Sequence, residues 1–119
     1  MRVLVTGSRD WQDAQVVLRA LDAIRNRPLV VVHGGAHGVD AIASRWAKAH
    51  KVEEDSHPPD YDTYGDLAPG IRNEQMVQLG ADVCMAFIRD YSGGATGTSE
   101  RAVLAGIPTL VWYELTPGI

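Results

Sequence analysis

Cysteine is nearly absent from this chain: Cys84 is the only one among 119 residues. A lone cysteine forms neither an internal disulfide nor a cysteine-based zinc site, which excludes a disulfide-stabilised secreted scaffold. No apolar run is long enough to cross a bilayer, and the opening MRVLVTGS is broken too early for a secretory signal peptide. We therefore expect a cytoplasmic protein of a reducing compartment.

Positive charge is also scarce, since 11 Lys and Arg stand against 15 Asp and Glu, for a net charge of −4. Sequence-independent nucleic-acid binding requires a basic face, so it is not expected here. A small anionic ligand needs only a local cluster of cations, and the composition permits that. The length and the 45% apolar content suit one globular domain over residues 1–119.

Short apolar strands alternate with helical patterns along the chain. Buried strands are indicated by VLV at 3–5, LVVVH at 29–33, ADVCMAFI at 81–88 and PTLVWY at 108–113, with a short edge strand near Val52. Helical spacing begins near residues 13, 39 and 70, and SERAVLA at 99–105 suggests a further short helix. This order predicts the α/β class: a three-layer sandwich around a mostly parallel five-stranded sheet with right-handed crossovers.

Three loops of small residues, at 7–10, 34–38 and 92–98, follow the predicted strands and lead into helices. Ligands of such sheets bind beyond the carboxyl ends of the strands, where the strand order reverses. Glycines before a helix let the backbone approach a ligand, and the unpaired N–H groups of the helix start favour phosphate. The loops match neither the P-loop nor the dinucleotide fingerprint. Their convergence nevertheless predicts an anionic, phosphorylated ligand.

Two arginines are the predicted clamps for that ligand. Arg9 follows the first strand, and Arg72 lies near a helix start, where its charge opposes the helix dipole unless an anion accompanies it. Asp40 is expected to order the second loop by accepting backbone N–H bonds. Trp11 either stacks on a base or covers the core. The predicted ligand-binding residues are Gly7, Ser8, Arg9, Gly34, Gly35, Gly38, Asp40, Asn73, Gly97 and Thr98.

Metal and triad chemistry are not indicated. His33, His37 and His57, even with Asp40 added, show no established ligand spacing, so we predict no metal and no cofactor. Cys84 lies inside a predicted strand, where a small core side chain is the simplest interpretation.

Four segments together resemble a known superfamily: VTGSRDW at 5–11, HGGAHGVDAIASRWA at 33–47, GIRNEQM at 70–76 and GTSERAVLAGIP at 97–108. They are similar, over nearly the whole chain, to the SLOG superfamily and most closely to its YspA, cpYpsA-related branch. The resemblance implies a Rossmann-like sheet of order 3-2-1-4-5. It also implies a site for nucleotides or nucleotide-derived ligands such as ADP-ribose-, NAD- or nucleoside-monophosphate-like molecules.

The superfamily includes the lonely-guy hydrolases, which release the base from nucleoside 5′-monophosphates. Arg72 and Met76 resemble the first element of their site, which implies a catalytic pair of Arg72 and Glu100. The second element differs: its loop has no proline, carries an extra residue, and places Glu100 one position early. One helical position is about 100° of rotation. DNA-processing protein A, another relative, binds single-stranded DNA, which the acidic balance does not favour.

Three interpretations remain at this stage. The chain is a binding or sensing module for a nucleotide derivative, an N-glycosidic hydrolase, or a structural oligomer whose glycine loops only turn. Domains of this size and architecture often dimerise, and the helix with Trp46 could supply a homodimer face.

Overall fold

The computed structural model describes residues 1–117 and contains a parallel sheet of five strands. The strand order is β3-β2-β1-β4-β5, which confirms the predicted fold class and sheet order, and every pairing is parallel. The strands are β1 (Arg2–Gly7), β2 (Val30–His33), β3 (Glu53–Ser56), β4 (Val83–Arg89) and β5 (Thr109–Glu114).

Four main helices and one short helix connect the strands. They are α1 (Ala14–Asp22), α2 (Val39–Ala49), α3 (Tyr61–Tyr64), α4 (Ala68–Gln78) and α5 (Gly93–Leu104), and a 3-10 turn over Gly65–Leu67 joins α3 to α4. No helix within residues 1–117 is long and apolar enough to span a membrane.

Alternate side chains of the central strands pack on opposite faces of the sheet, in two main clusters and a small third one of Ala86, Ile88 and Ala95. Val3, Val5 and Phe87 pack with residues of α1 and α2, including Trp46. On the opposite face, Leu4, Val32 and Cys84 pack with residues of α4 and α5. Strands buried on both faces explain the continuous apolar runs in the sequence. Burial raises the pKa of the Cys84 thiol to about 12, as expected of an inert core cysteine.

The predicted start of the last helix is wrong. The glycine-rich stretch 92–98 was expected to be a loop, but α5 begins at Gly93. Its buried positions are all small, and they let the helix pack closely on the sheet: Ala95, Thr98, Ser99 and Ala102. Tertiary packing therefore overrides the low helix propensity of the three glycines.

Two aromatic side chains also have defined places. Trp11 is buried, contacts Phe87 edge to face, and donates from Nε1 to the Asp13 carbonyl at 2.7 Å. Of the two interpretations left open, it therefore covers the core. Tyr61, in a segment predicted as loop, starts α3 and is exposed.

Candidate functional site

A cleft of about 360 Å³ lies above the carboxyl end of β1. β1 lies between β2 and β4 in the sheet. β2 and β3 extend the sheet on one side of β1, and β4 and β5 extend it on the other, so the strand order reverses at β1 and makes this the switch point of the sheet. Segments from each of the three predicted loops and from α4 line the cleft: Thr6, Gly7, Ser8, Arg9, Asp10, Ala36, Asp40, Pro69, Arg72, Asn73, Met76, Ser92, Gly94 and Ala95.

Ser8 joins the β1 loop to the loop after β4. Its Oγ accepts from the Arg89 backbone N–H at 2.7 Å and lies 2.5 Å from Ser92 Oγ. With only 2% of its surface exposed, Ser8 forms part of the floor of the cleft. Arg9, the next residue, is exposed and lines the same cleft.

The backbone N–H groups of the second loop are bonded to the chain itself. Asp40 Oδ2 accepts from Gly34 at 3.1 Å and from Ala36 at 3.2 Å, while Gly35 donates to His33 Nδ1 at 3.0 Å. This is the ordering role expected of Asp40. These three N–H groups therefore support the loop and are not free to bind an anion.

Two glycines of this loop serve close packing. A Cβ at Gly34 would lie 2.2 Å from Arg72 Nη1, and one at Gly38 would lie 2.4 Å from the Ser8 carbonyl oxygen. Gly38 also has a φ of +74°, which L side chains rarely adopt. The absence of side chains at these positions lets the β2 loop approach both α4 and the β1 loop.

Arg72 is the buried cation of the cleft, with 8% of its surface exposed. Nε donates to Asn73 Oδ1 at 2.7 Å, and Nη1 donates to the carbonyls of Gly34 and His57. Burial lowers its pKa; the nearby charge of Arg9 lowers it further and that of Asp40 opposes both. Within residues 1–117 no hydrogen bond from Nη2 is present, so one arm of the guanidinium is available.

The start of α5 forms the opposite wall. Thr96 makes the first i→i−4 bond, to the Ser92 carbonyl, so the N–H groups of Gly93, Gly94 and Ala95 have no intrahelical partner. Ser92 is the N-cap residue and makes no side-chain capping bond. The positive end of the helix dipole thus lies at the cleft, which Arg9 and Arg72 also line.

The structure brings some of the predicted site residues together and leaves others apart. Six of them line the cleft: Gly7, Ser8, Arg9, Asp40, Arg72 and Asn73. Gly35 lines a second pocket with Pro59 and Tyr61, and we call this pocket the extension because it shares Arg9, Ala36 and Arg72 with the cleft. Gly34 and Gly38 lie behind these walls. The remaining three predictions fall inside α5: Gly97 lies away from the cleft, Thr98 is fully buried and donates to the Gly94 carbonyl, and Glu100 is exposed.

Several lining residues were missed from the sequence. Ser92, Gly94 and Ala95 were assigned to a loop, although serine is also a favoured N-cap residue. Pro69 carries no chemical signal of its own, and Met76 was noted only through its resemblance to the hydrolase element that includes Arg72. His33 has a structural role. Its Nδ1 accepts from the Gly35 N–H, so Nε2 carries the ring proton, and Nε2 lies 2.8 Å from Glu54 Oε1. Within residues 1–117, no three potential metal ligands converge.

Fold and cleft together define a Rossmann-like α/β protein with two arginines at the switch point of its sheet. A model of the YspA, cpYpsA-related SLOG family matches residues 1–64, more than half of the 119 residues, so the chain belongs to that family. It is 44% identical over 117 residues to the Gene 61 protein of Mycobacterium phage D29, covering 92% of this chain and 94% of that protein. No solved structure matches the chain.

Proposed function

We propose that the protein binds a nucleotide or nucleotide-derived phosphorylated ligand in the switch-point cleft, as a binding or sensing module. One observation carries the proposal: two like-charged side chains, Arg9 and Arg72, line the same cleft as the first turn of α5, whose N–H groups have no hydrogen-bond partner within residues 1–117. An anion placed between them relieves their repulsion and accepts hydrogen bonds from both walls. Membership of a SLOG family supports the same class of ligand.

The dimensions of the cleft suit a nucleotide. Its volume of about 360 Å³ lies in the range of small-molecule sites. The extension past Arg9 and Arg72 leads to Tyr61, which is 52% exposed and offers an aromatic face to a base. The phosphate would occupy the cleft and the base would lie along the extension.

N-glycosidic hydrolysis, the alternative from the sequence, is less well supported. It assigns catalysis to Arg72 and Glu100, but Glu100 is exposed on α5 and does not line the cleft. Glycosidic cleavage needs a carboxylate that acts at the reacting sugar carbon, and Glu100, the residue assigned that role, is not among the lining residues. Of the two carboxylates that do line the cleft, Asp40 is bonded to the β2 loop and Asp10 is exposed. We therefore propose binding without turnover.

Calorimetric titration with AMP, ADP-ribose and adenosine tests this function. Arg9→Ala should weaken AMP about tenfold, because it removes one charge-assisted bond, and should leave adenosine nearly unchanged. Arg19→Ala, an exposed change of the same charge on α1, is the matched control and should have no effect. Failure of every phosphorylated ligand to bind, or equal loss for AMP and adenosine, would refute the proposal. Free adenine released in these mixtures would favour hydrolysis.

A further inference from the structure

Asp40 has one carboxylate oxygen that the fold leaves without a partner. Oδ2 accepts two backbone N–H bonds, whereas Oδ1 is buried and has no hydrogen bond within residues 1–117. Only 6% of the residue is exposed, and it lines the cleft. Buried polar atoms are nearly always bonded, and leaving one unmet costs stability. A function at Oδ1 would explain why this cost is retained.

The side chains that could have satisfied Oδ1 are committed elsewhere. Arg72 donates to Asn73 and to the carbonyls of Gly34 and His57, and it forms no ion pair with Asp40 within residues 1–117. Both ring nitrogens of His33 are hydrogen-bonded, Nδ1 to the Gly35 N–H and Nε2 to Glu54. Burial raises the pKa of Asp40, against the hydrogen bond from the Ala36 N–H and the favourable charge of Arg72.

Asp40 is thus a partly unpaired acceptor in the wall of a cleft that also holds several donors, and the exposed Asp10 is the other carboxylate among the lining residues. Arg9, Arg72 and the first turn of α5 are suited to an anion, and none of them can receive a proton from a ligand. The carboxylate of Asp40 has the opposite preference. A ligand that satisfies the whole cleft must therefore carry both a negative group and a hydrogen-bond donor.

We propose that Asp40 Oδ1 accepts a hydrogen bond from a sugar hydroxyl of the bound ligand, which makes Asp40 the residue that selects a phosphorylated ribose over other phosphates. The inference rests on the proposed function and names its substrate class. In a nucleotide the sugar adjoins the phosphate, so its hydroxyls are the nearest donors, while the base lies farther along toward Tyr61. A phosphate ester without such a hydroxyl leaves Oδ1 unpaired, and sites with an unpaired buried polar group discriminate strongly against that ligand.

The test compares AMP and GMP with their 2′,3′-dideoxy forms by calorimetry, on the wild type and on Asp40→Asn. The asparagine oxygen can still accept from Gly34 and Ala36, and its NH₂ then replaces the free oxygen. We expect the wild type to bind the hydroxyl-bearing form about tenfold or more tightly than the dideoxy form, through a charge-assisted bond. In Asp40→Asn the two forms should bind within about threefold of each other, because only a neutral bond remains.

A second measurement needs no variant. In ¹³C-labelled wild type, the Asp40 carboxyl resonance should move on saturation with AMP and stay in place with the dideoxy form. Equal affinity for both forms, with phosphate still required, would overturn this inference and leave the proposed function standing. The inference would also be overturned if Asp40→Asn still preferred the hydroxyl-bearing form, or if the Asp40 carboxyl resonance responded equally to AMP and to the dideoxy form. If no nucleotide binds at all, the proposed function fails and this inference fails with it.

Discussion

At the scale of single residues, the geometry of the cleft depends on the lack of a side chain at Gly34. Gly34 was predicted from the sequence as a ligand contact, but the structure gives it another task. The Arg72 guanidinium occupies the space where a Cβ at position 34 would project, 2.2 Å from Nη1, and its Nη1 donates to the Gly34 carbonyl. The glycine therefore positions the buried cation of the site.

Gly34→Ala should displace Arg72 and lower stability by about 1–3 kcal/mol, the usual cost of overpacking a buried site. AMP affinity should fall with it, because the guanidinium moves. Gly70→Ala is the matched control, since it lies on α4 beside Arg72 with no atom near its added Cβ. That change should stabilise the protein by about 0.5–1 kcal/mol. Urea unfolding measures both, and a Gly34→Ala protein of unchanged stability would contradict the packing account.

The predictions of Arg9 and Arg72 as ligand-binding residues rest on local patterns, and they stay predictions. Arg9 lies two residues after the end of β1, Arg72 lies on α4 beyond its first turn, and both line the cleft. The assignments of Thr98 and Glu100 depended on where α5 begins. With the helix starting at Gly93, these residues lie beyond its first turn, where Thr98 is buried and Glu100 is exposed. The orphaned oxygen of Asp40 depends on the partners of its neighbours, which no local pattern reveals.

At the scale of elements, Glu114 links the end of β5 to strand β4 and to the segment that begins helix α1. Its carboxylate accepts from the backbone N–H groups of Gln12 and Asp13, each at 2.8 Å, and from Arg89 of β4. Asp13 is the N-cap residue of α1, so the negative charge also lies at the favourable end of that helix. Burial works against the charge, but the bonds from Arg89, Gln12 and Asp13 together lower the Glu114 pKa below its ordinary 4.5.

The lowered pKa predicts how stability depends on pH. Because the folded state favours the ionised form, this contribution is present above pH 4.5 and is lost as the pH falls through the folded pKa. Glu114→Gln should therefore be less stable than the wild type at pH 7, by about 0.5–1 kcal/mol after allowing for solvent screening. The difference should vanish in acid.

Urea unfolding at several pH values measures the effect. Glu74→Gln, which removes an exposed ion pair with Arg101, should change stability little at any pH. A Glu114→Gln penalty that is the same in acid and at neutrality would show that shape, and not charge, connects these elements.

Element types were more predictable than element boundaries. All five strands were expected, since continuous apolar runs and one charged edge segment are distinctive. The stretch 92–98 was wrongly predicted as a loop because its three glycines favour one. It is helical because the small residues of α5 allow the helix to pack closely on the sheet. The turn of α3 was missed for a similar reason: none of its residues is buried, so the sequence shows no apolar period there.

At the scale of the whole molecule, an acidic protein gathers two arginines at one place. The net charge is −4, yet Arg9 and Arg72 meet at the switch point of the sheet with the start of α5 opposite. The strand order came from a family resemblance and is confirmed by the structure. The convergence of three loops follows from that order, because β2, β1 and β4 are neighbours whose carboxyl ends share one edge.

The location of the ligand is the central claim, and an NMR titration of ¹⁵N-labelled protein with AMP tests it most directly. We expect the largest chemical-shift changes at the amides of residues 7–9, 72–73 and 92–95, which come from three separate parts of the chain and meet only at the cleft. Saturable changes confined to other surfaces, such as the exposed edge strand β5, with the amides of the cleft unmoved, would contradict the account.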